Sequence, residues 1–197
     1  MLTYSPTLIE LTNNTASNLL PLSPILSGAG VITSWEINAT LPSGLSFGSN
    51  NGTLYGIPTE LWPSADYTVW ANNTGGSVST TITIIVIDQV PSAISYPLID
   101  LNLTNNTASP DLPMIPQITG PGSIISWEIS GVIPQGLTFD SNTGIISGIA
   151  TELWPTTNYT VWANNTGGSV AIEFNITVVD QLPTTFTYNP SDLLLSN

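Results

Sequence analysis

The stretch YTVWANNTGGSV, Tyr67–Val78, returns letter for letter at Tyr159–Val170, 92 positions further on. In an extended chain Tyr67, Val69 and Ala71 project to one side and Thr68, Trp70 and Asn72 to the other. Asn73-Thr74-Gly75-Gly76 then supplies the residue types that a tight turn selects. After the turn Val78, Thr80, Ile82, Ile84 and Val86 alternate with Ser79, Thr81, Thr83, Ile85 and Ile87. The second copy sharpens the pattern: Val170, Ile172, Phe174, Ile176 and Val178 alternate with Ala171, Glu173, Asn175, Thr177 and Val179. A period of two carried by β-branched residues predicts a hairpin with one buried face, leaving Glu173 and Asn175 on the wet side.

The duplication extends outward from this hairpin along nearly the whole chain. LTNNTAS at Leu11–Ser17 meets Leu103–Ser109, SWEI at Ser34–Ile37 meets Ser126–Ile129, and TELWP at Thr59–Pro63 meets Thr151–Pro155. Tyr188 follows Tyr96 and Tyr4 in register, and Leu195 follows Leu103 and Leu11. A fixed period marks an array. The expected organisation is a first repeat over 1–91, a second over 92–183, and in 184–197 the first strand of a third. The chain then reads as a window on a longer tandem protein.

Further strands are expected at Leu2–Leu11, Ile32–Asn38, Leu45–Phe47 and Thr53–Ile57, separated by LPSG and SNNG turns. Sixteen Gly and sixteen Pro leave no room for a useful helix. About seven strands in some ninety residues fits an all-β fold of tandem immunoglobulin-like sandwiches.

Composition narrows the chemistry. The 197 residues contain no Lys, Arg, His or Cys, against thirteen Asp and Glu. Nothing can neutralise phosphates, which excludes nucleic acid as a partner. Ser-His-Asp and Cys-His triads, lysine nucleophiles and His or Cys zinc sites are impossible. The carboxylates are scattered singly, so an enzyme is not expected. No apolar run is long enough to span a membrane, and Met1-Leu2-Thr3-Tyr4 lacks the basic start of a signal peptide. Proteases that need Lys or Arg find no site. On acidification the net charge goes toward zero instead of strongly positive, removing the usual repulsion of acid unfolding. An exposed extracellular setting, and tolerance of acid, are the expectations.

The motifs resemble a known family in fixed order. Trp35-Glu36-Ile37, the LPxGLxF run Leu41–Phe47, the glycine-spaced Gly52–Gly56, Tyr67–Ser77 and Val86–Asp88 closely resemble the repeats called putative immunoglobulin domains (the He_PIG type) of microbial cell-surface proteins. These are related to cadherin-like and dystroglycan-type modules. The second copy repeats the run as Ile133–Phe139. The resemblance implies a non-catalytic extracellular module of a stalk, adhesin or filament. Its partners would be neighbouring repeats or copies of itself, surface glycans or other cell-surface proteins.

Cadherin-like relatives bind calcium at one pole, which points to Glu10, Glu60, Asp88, Glu152 and Asp180. The competing reading is solvated carboxylates, because calcium needs six to eight oxygens. The linkers Asp88-Gln89-Val90-Pro91 and Asp180-Gln181-Leu182-Pro183 lack the further Asp and Asn of a cadherin linker. No other cofactor is implied.

Trp35 and Trp127 sit where such folds place a core Trp, while Trp62 and Trp154 close the bottom of each sandwich. Trp70 and Trp162 alternate with inward residues and should face outward, either against their own sheet or against a sugar. Nine Asn-x-Ser/Thr sequons, at Asn13, Asn38, Asn51, Asn72, Asn102, Asn105, Asn158, Asn164 and Asn175, offer glycosylation sites. The segment Thr185–Asn197 either opens a third repeat or is donated as a strand to a neighbouring subunit, building a filament.

Overall fold

The structure, a computed structural model, describes residues 1–28 and 30–185. The expectation for the terminal strand therefore falls, from Phe186 on, outside the described residues. Every regular element among the described residues is a strand.

The first repeat contains β1 (Leu2–Thr3), β2 (Leu8–Thr12), β3 (Ile25–Leu26), β4 (Ser34–Ile37), β5 (Leu45–Phe47), β6 (Leu54–Gly56), β7 (Trp62–Asn73) and β8 (Gly76–Ile87). One layer is the sheet β2-β8-β7-β4, with β2 parallel to β8 and the other pairings antiparallel. Facing it are the pairs β1-β3 and β5-β6, tied by a bridge from Leu22 to Leu54. The second repeat runs through β9 (Ala93–Ser95), β10 (Asp100–Thr104), β11 (Gln117–Thr119), β12 (Ser126–Ile129), β13 (Leu137–Phe139), β14 (Ile146–Gly148), β15 (Trp154–Asn165) and β16 (Gly168–Val179). Its strand orders are the same: β10-β16-β15-β12, β11-β9 and β13-β14. The fold is all-β and immunoglobulin-like, as the periodicity predicts.

By contact density the chain forms two compact units. One comprises Met1–Ala93, Ile118–Ser126 and Ala163–Val170; the other comprises Ile94–Gln117, Trp127–Trp162 and residues 171–185.

The hairpin β7-β8 holds the first core together. Tyr67, Val69 and Ala71 on β7 and Ile82, Ile84 and Val86 on β8 are all buried, together with Ile9 and Leu11 from β2. The tip of the hairpin outruns this core. Val78 has the parity of the buried face yet is 36% exposed. In the second repeat Phe174 takes the place of Ile82 and packs against Tyr96 and Tyr159, with ring centroids 5.4 and 6.0 Å away.

The expected single opening strand over Leu2–Leu11 is instead two, which raises the strand number to eight per repeat. Pro6 has no N–H to give a ladder, so pairing stops there. Leu2 and Tyr4 are buried before the break and Ile9 and Leu11 after it. That change of parity is impossible in one continuous strand; the chain crosses from one sheet to the other.

Two glycine requirements explain motif positions. Gly44 and Gly56 have φ of +87° and +119° and approach back to back: a Cβ on Gly44 would lie 2.0 Å from Ile57 O, and one on Gly56 would lie 2.1 Å from Gly44 O. Gly52 lies against the Trp35 ring, where a Cβ would come within 2.5 Å of the indole. Its carbonyl accepts the buried Tyr4 hydroxyl. The glycines of LPxGLxF and GxxxGIxT therefore close the β5-β6 corner onto the core Trp.

Ile84→Ala, at a fully buried centre of β8, should cost about 2–5 kcal/mol in urea unfolding. Thr81→Ala on the outer face should stay within about 0.5 kcal/mol.

Candidate functional site

With no basic side chain in the sequence, the carboxylates take their hydrogen bonds from backbone amides, hydroxyls and carboxamides. Glu60 Oε1 accepts the Ser43 N–H at 2.6 Å, and Glu152 Oε1 accepts the Gln135 N–H at 2.7 Å. Each reaches back 17 residues to pin the turn that leads into β5 or β13. The Ser43 amide holds the Glu60 carboxyl below its usual 4.5. Asp140 is likewise held down, chiefly by the Asn142 N–H.

Glu10 is exposed on β2, and Asp180 is exposed with Oδ1 accepting the Gln181 N–H at 2.8 Å. Asp88 is the one charged side chain buried among the described residues. No three acidic side chains gather where they could hold one cation, again among the described residues.

Asp88 and Gln89 are gripped within the first compact unit. Asp88 Oδ1 accepts the Gln89 N–H at 2.8 Å and Oδ2 accepts the Ser123 N–H at 2.9 Å. The Asp88 N–H donates to Thr166 Oγ1 at 2.8 Å, and Asn165 Nδ2 donates to Gln89 O at 2.7 Å. Backbone passes so close that a Cβ on Gly122 would lie 2.0 Å from Gln89 O, and one on Gly167 would lie 2.0 Å from Asp88 O. Gln89 Nε2 completes the set by donating to Asn13 O at 2.8 Å. The sequence reading singled out Asp88 but missed Gly122, Asn165, Thr166 and Gly167. Their signal was present: these residues belong to the duplicated NNTGG run and to the glycine pair Gly28/Gly30 that recurs as Gly120/Gly122.

Trp35 and Trp127 are in the cores. Trp70 is half-buried on the outer face of its sheet, in register with Glu36 and Ser79. Trp162 is half-buried at the same place in β15. Of the sequons, Asn38, Asn51, Asn102 and Asn158 are exposed, whereas Asn13, Asn72, Asn105, Asn164 and Asn175 are half-buried. Asn72 Nδ2 donates to Glu36 at 3.0 Å and Asn175 Nδ2 to Asp100 at 2.7 Å. A glycan bond at those nitrogens would displace the contacts, as it would at Asn158, whose Nδ2 donates to Asn175 Oδ1 at 3.4 Å.

The sequence profile described as "Putative Ig domain" (He_PIG) matches residues 1–87 and 91–179. The chain belongs to this family. Both matched segments carry the Trp, LPxG-type turn and hairpin described above. Among curated proteins the chain is similar to the "Serine-rich adhesin for platelets" of Staphylococcus aureus, at 29% identity over 162 residues. The match covers 82% of this chain but 12% of the adhesin of strain MRSA252 and 7% of that of strain USA300. This chain thus spans about a tenth of those relatives' length. Among solved structures, extracellular domains 3–5 of Drosophila OTK superpose with a TM-score of 0.51 and 16% identity, covering 91% of this chain and 62% of that one.

Glu60→Gln should lower the melting temperature at neutral pH. A depressed folded-state pKa stabilises above the unfolded value of 4.5 and loses that contribution as pH falls through the folded value. The difference from wild type should therefore vanish by about pH 2. An equal difference at both pH values would contradict the amide-bound carboxylate.

Proposed function

We propose that this chain is a non-catalytic structural and adhesive module displayed outside the cell, part of a stalk or adhesin built of tandem immunoglobulin-like repeats. The observation that carries this reading is the same two-layer architecture made twice, through the same strand order. Membership of the immunoglobulin-domain family and similarity to a surface adhesin support it. A chain with no Lys, Arg, His or Cys cannot form a Ser-His-Asp or Cys-His triad, a lysine nucleophile or a basic phosphate clamp. Its repeats are best placed over 1–91 and 92–183, with 184–197 beginning a third.

The partners fitting such a module are adjoining repeats, copies of itself and molecules of other cell surfaces.

Antibodies against the chain should label intact native cells, and proteinase K added to intact cells should remove the signal. Trypsin should make no cut within these 197 residues, which offer no Lys or Arg. Labelling that appears only after permeabilisation would overturn the extracellular reading.

A further inference from the structure

The outer face of the sheet β2-β8-β7-β4 carries an indole that the core does not include. Val69 and Ala71 are buried in that core, so Trp70 between them projects from the opposite side. It is half-buried, which leaves part of the ring open to solvent. The sheet surrounds it with polar groups. Glu36 and Ser79, both exposed, stand opposite Trp70 on the two flanking strands. Asn72 lies two residues along β7, opposite Ser34 and Ser77, and Thr68 lies two residues the other way, opposite Thr81.

Two of these groups are already aligned with each other. Asn72 Nδ2 donates to Glu36 Oε1 at 3.0 Å and to Ser34 Oγ at 3.5 Å. That orientation leaves Glu36 Oε2 and Asn72 Oδ1 as acceptors for other donors. Two acceptors held in place suit neighbouring hydroxyls of a sugar ring, while an indole offers its apolar C–H face a surface to stack on. The trio recurs in sequence as Glu128, Trp162 and Asn164, whereas Ser79 becomes Ala171. The carboxylate, the indole and the carboxamide are therefore the parts that duplication keeps. Charge narrows the ligand further. The charged side chains of this face are carboxylates, and the sequence holds no Lys, Arg or His to pair with an acidic sugar. A uronate or sialate would meet repulsion without compensation.

We propose that Trp70, with Glu36 and Asn72, forms a binding site for neutral sugar chains, with Trp162 and Glu128 as its counterpart in the second repeat. The proposal rests on the adhesive reading and names the class of partner. A cell-surface glycan and a matrix polysaccharide present the same hydroxyls, and two assays separate them.

The first is native electrophoresis of the full chain at neutral pH, where a formal net charge of −13 carries it through the gel. Gels containing a neutral polysaccharide (β-glucan, mannan, galactan or xylan) should slow the wild type, and polygalacturonate should not. The second is a printed array of neutral and sialylated oligosaccharides, on which a cell-surface source gives binding to neutral members. Binding to a neutral sugar in either assay supports the site. Trp70→Ala combined with Trp162→Ala should weaken it about tenfold or more. Because Trp70 is half-buried, Glu36→Gln combined with Glu128→Gln, at two exposed positions, provides a second variant. It should weaken binding while leaving the urea midpoint unchanged. No binding to any neutral sugar in both assays, equal binding to the acidic ones, or binding that both variants leave untouched would overturn the proposal. Surface labelling of intact cells would stand in each of those cases, so the two readings fail separately.

Discussion

The interaction on which this fold depends is the packing of one face of the β7-β8 hairpin. Tyr67, Val69 and Ala71 share one buried face with Ile82, Ile84 and Val86 in an antiparallel ladder that sets Tyr67 opposite Ile82 and Ala65 opposite Ile84, with a register shift between Trp62 and Ala65. Shifting that register by one residue would turn the whole apolar set to solvent. The parallel strand β2 adds Ile9 and Leu11 to the same face, and the facing pairs β1-β3 and β5-β6 close over it with Leu2, Leu45 and Leu54. The remaining features fasten loops onto this unit. The two close-packed glycines shape the β5-β6 corner, and the Glu60 carboxylate holds the turn before β5.

Absence of basic side chains sets the second constraint. An acceptor-only carboxylate must find donors, and here they come from the main chain or from neutral groups. Glu60, Glu152, Asp140 and Asp180 cap amides of nearby or distant turns, while Asp66 takes the Thr83 hydroxyl and Asp100 the Asn175 amide. Asp88 goes furthest, receiving two backbone amides while buried. A charge that accepts amide hydrogen bonds can be buried without a counter-charge, because the bonds offset lost hydration. The sparse carboxylates thus order loops, which suits a structural module.

Much of this was legible in the sequence. Alternation from Tyr67 to Val86 named the buried face, the turn and the layer architecture, because a half-buried strand has only one compatible period. The SWEI and LPxG motifs placed a core Trp and a corner correctly. What escaped were effects set by distance in three dimensions. Pro6 divides the opening strand, visible only through the change of buried parity between Tyr4 and Ile9. Val78 follows the right parity yet is 36% exposed, since alternation names a face and not the depth of burial. The amide partner of Glu60 lies 17 residues upstream and leaves no local pattern. Asp88 stood out as a carboxylate, while its donors Ser123 and Gln89 offer only backbone, which any residue type can supply.

The tandem design follows from the same parts. A module that buries its own hairpin and repeats the same strand order in each copy can be extended in tandem. All of this presupposes that the hairpin is the most stable part of the unit. Amide hydrogen exchange read by mass spectrometry tests that directly. The account predicts that peptides over Tyr67–Ala71 and Ile82–Val86 exchange slowest in the first repeat, with the loop around Gly30 exchanging fast. Exchange across Tyr67–Ala71 as rapid as in that loop would contradict it.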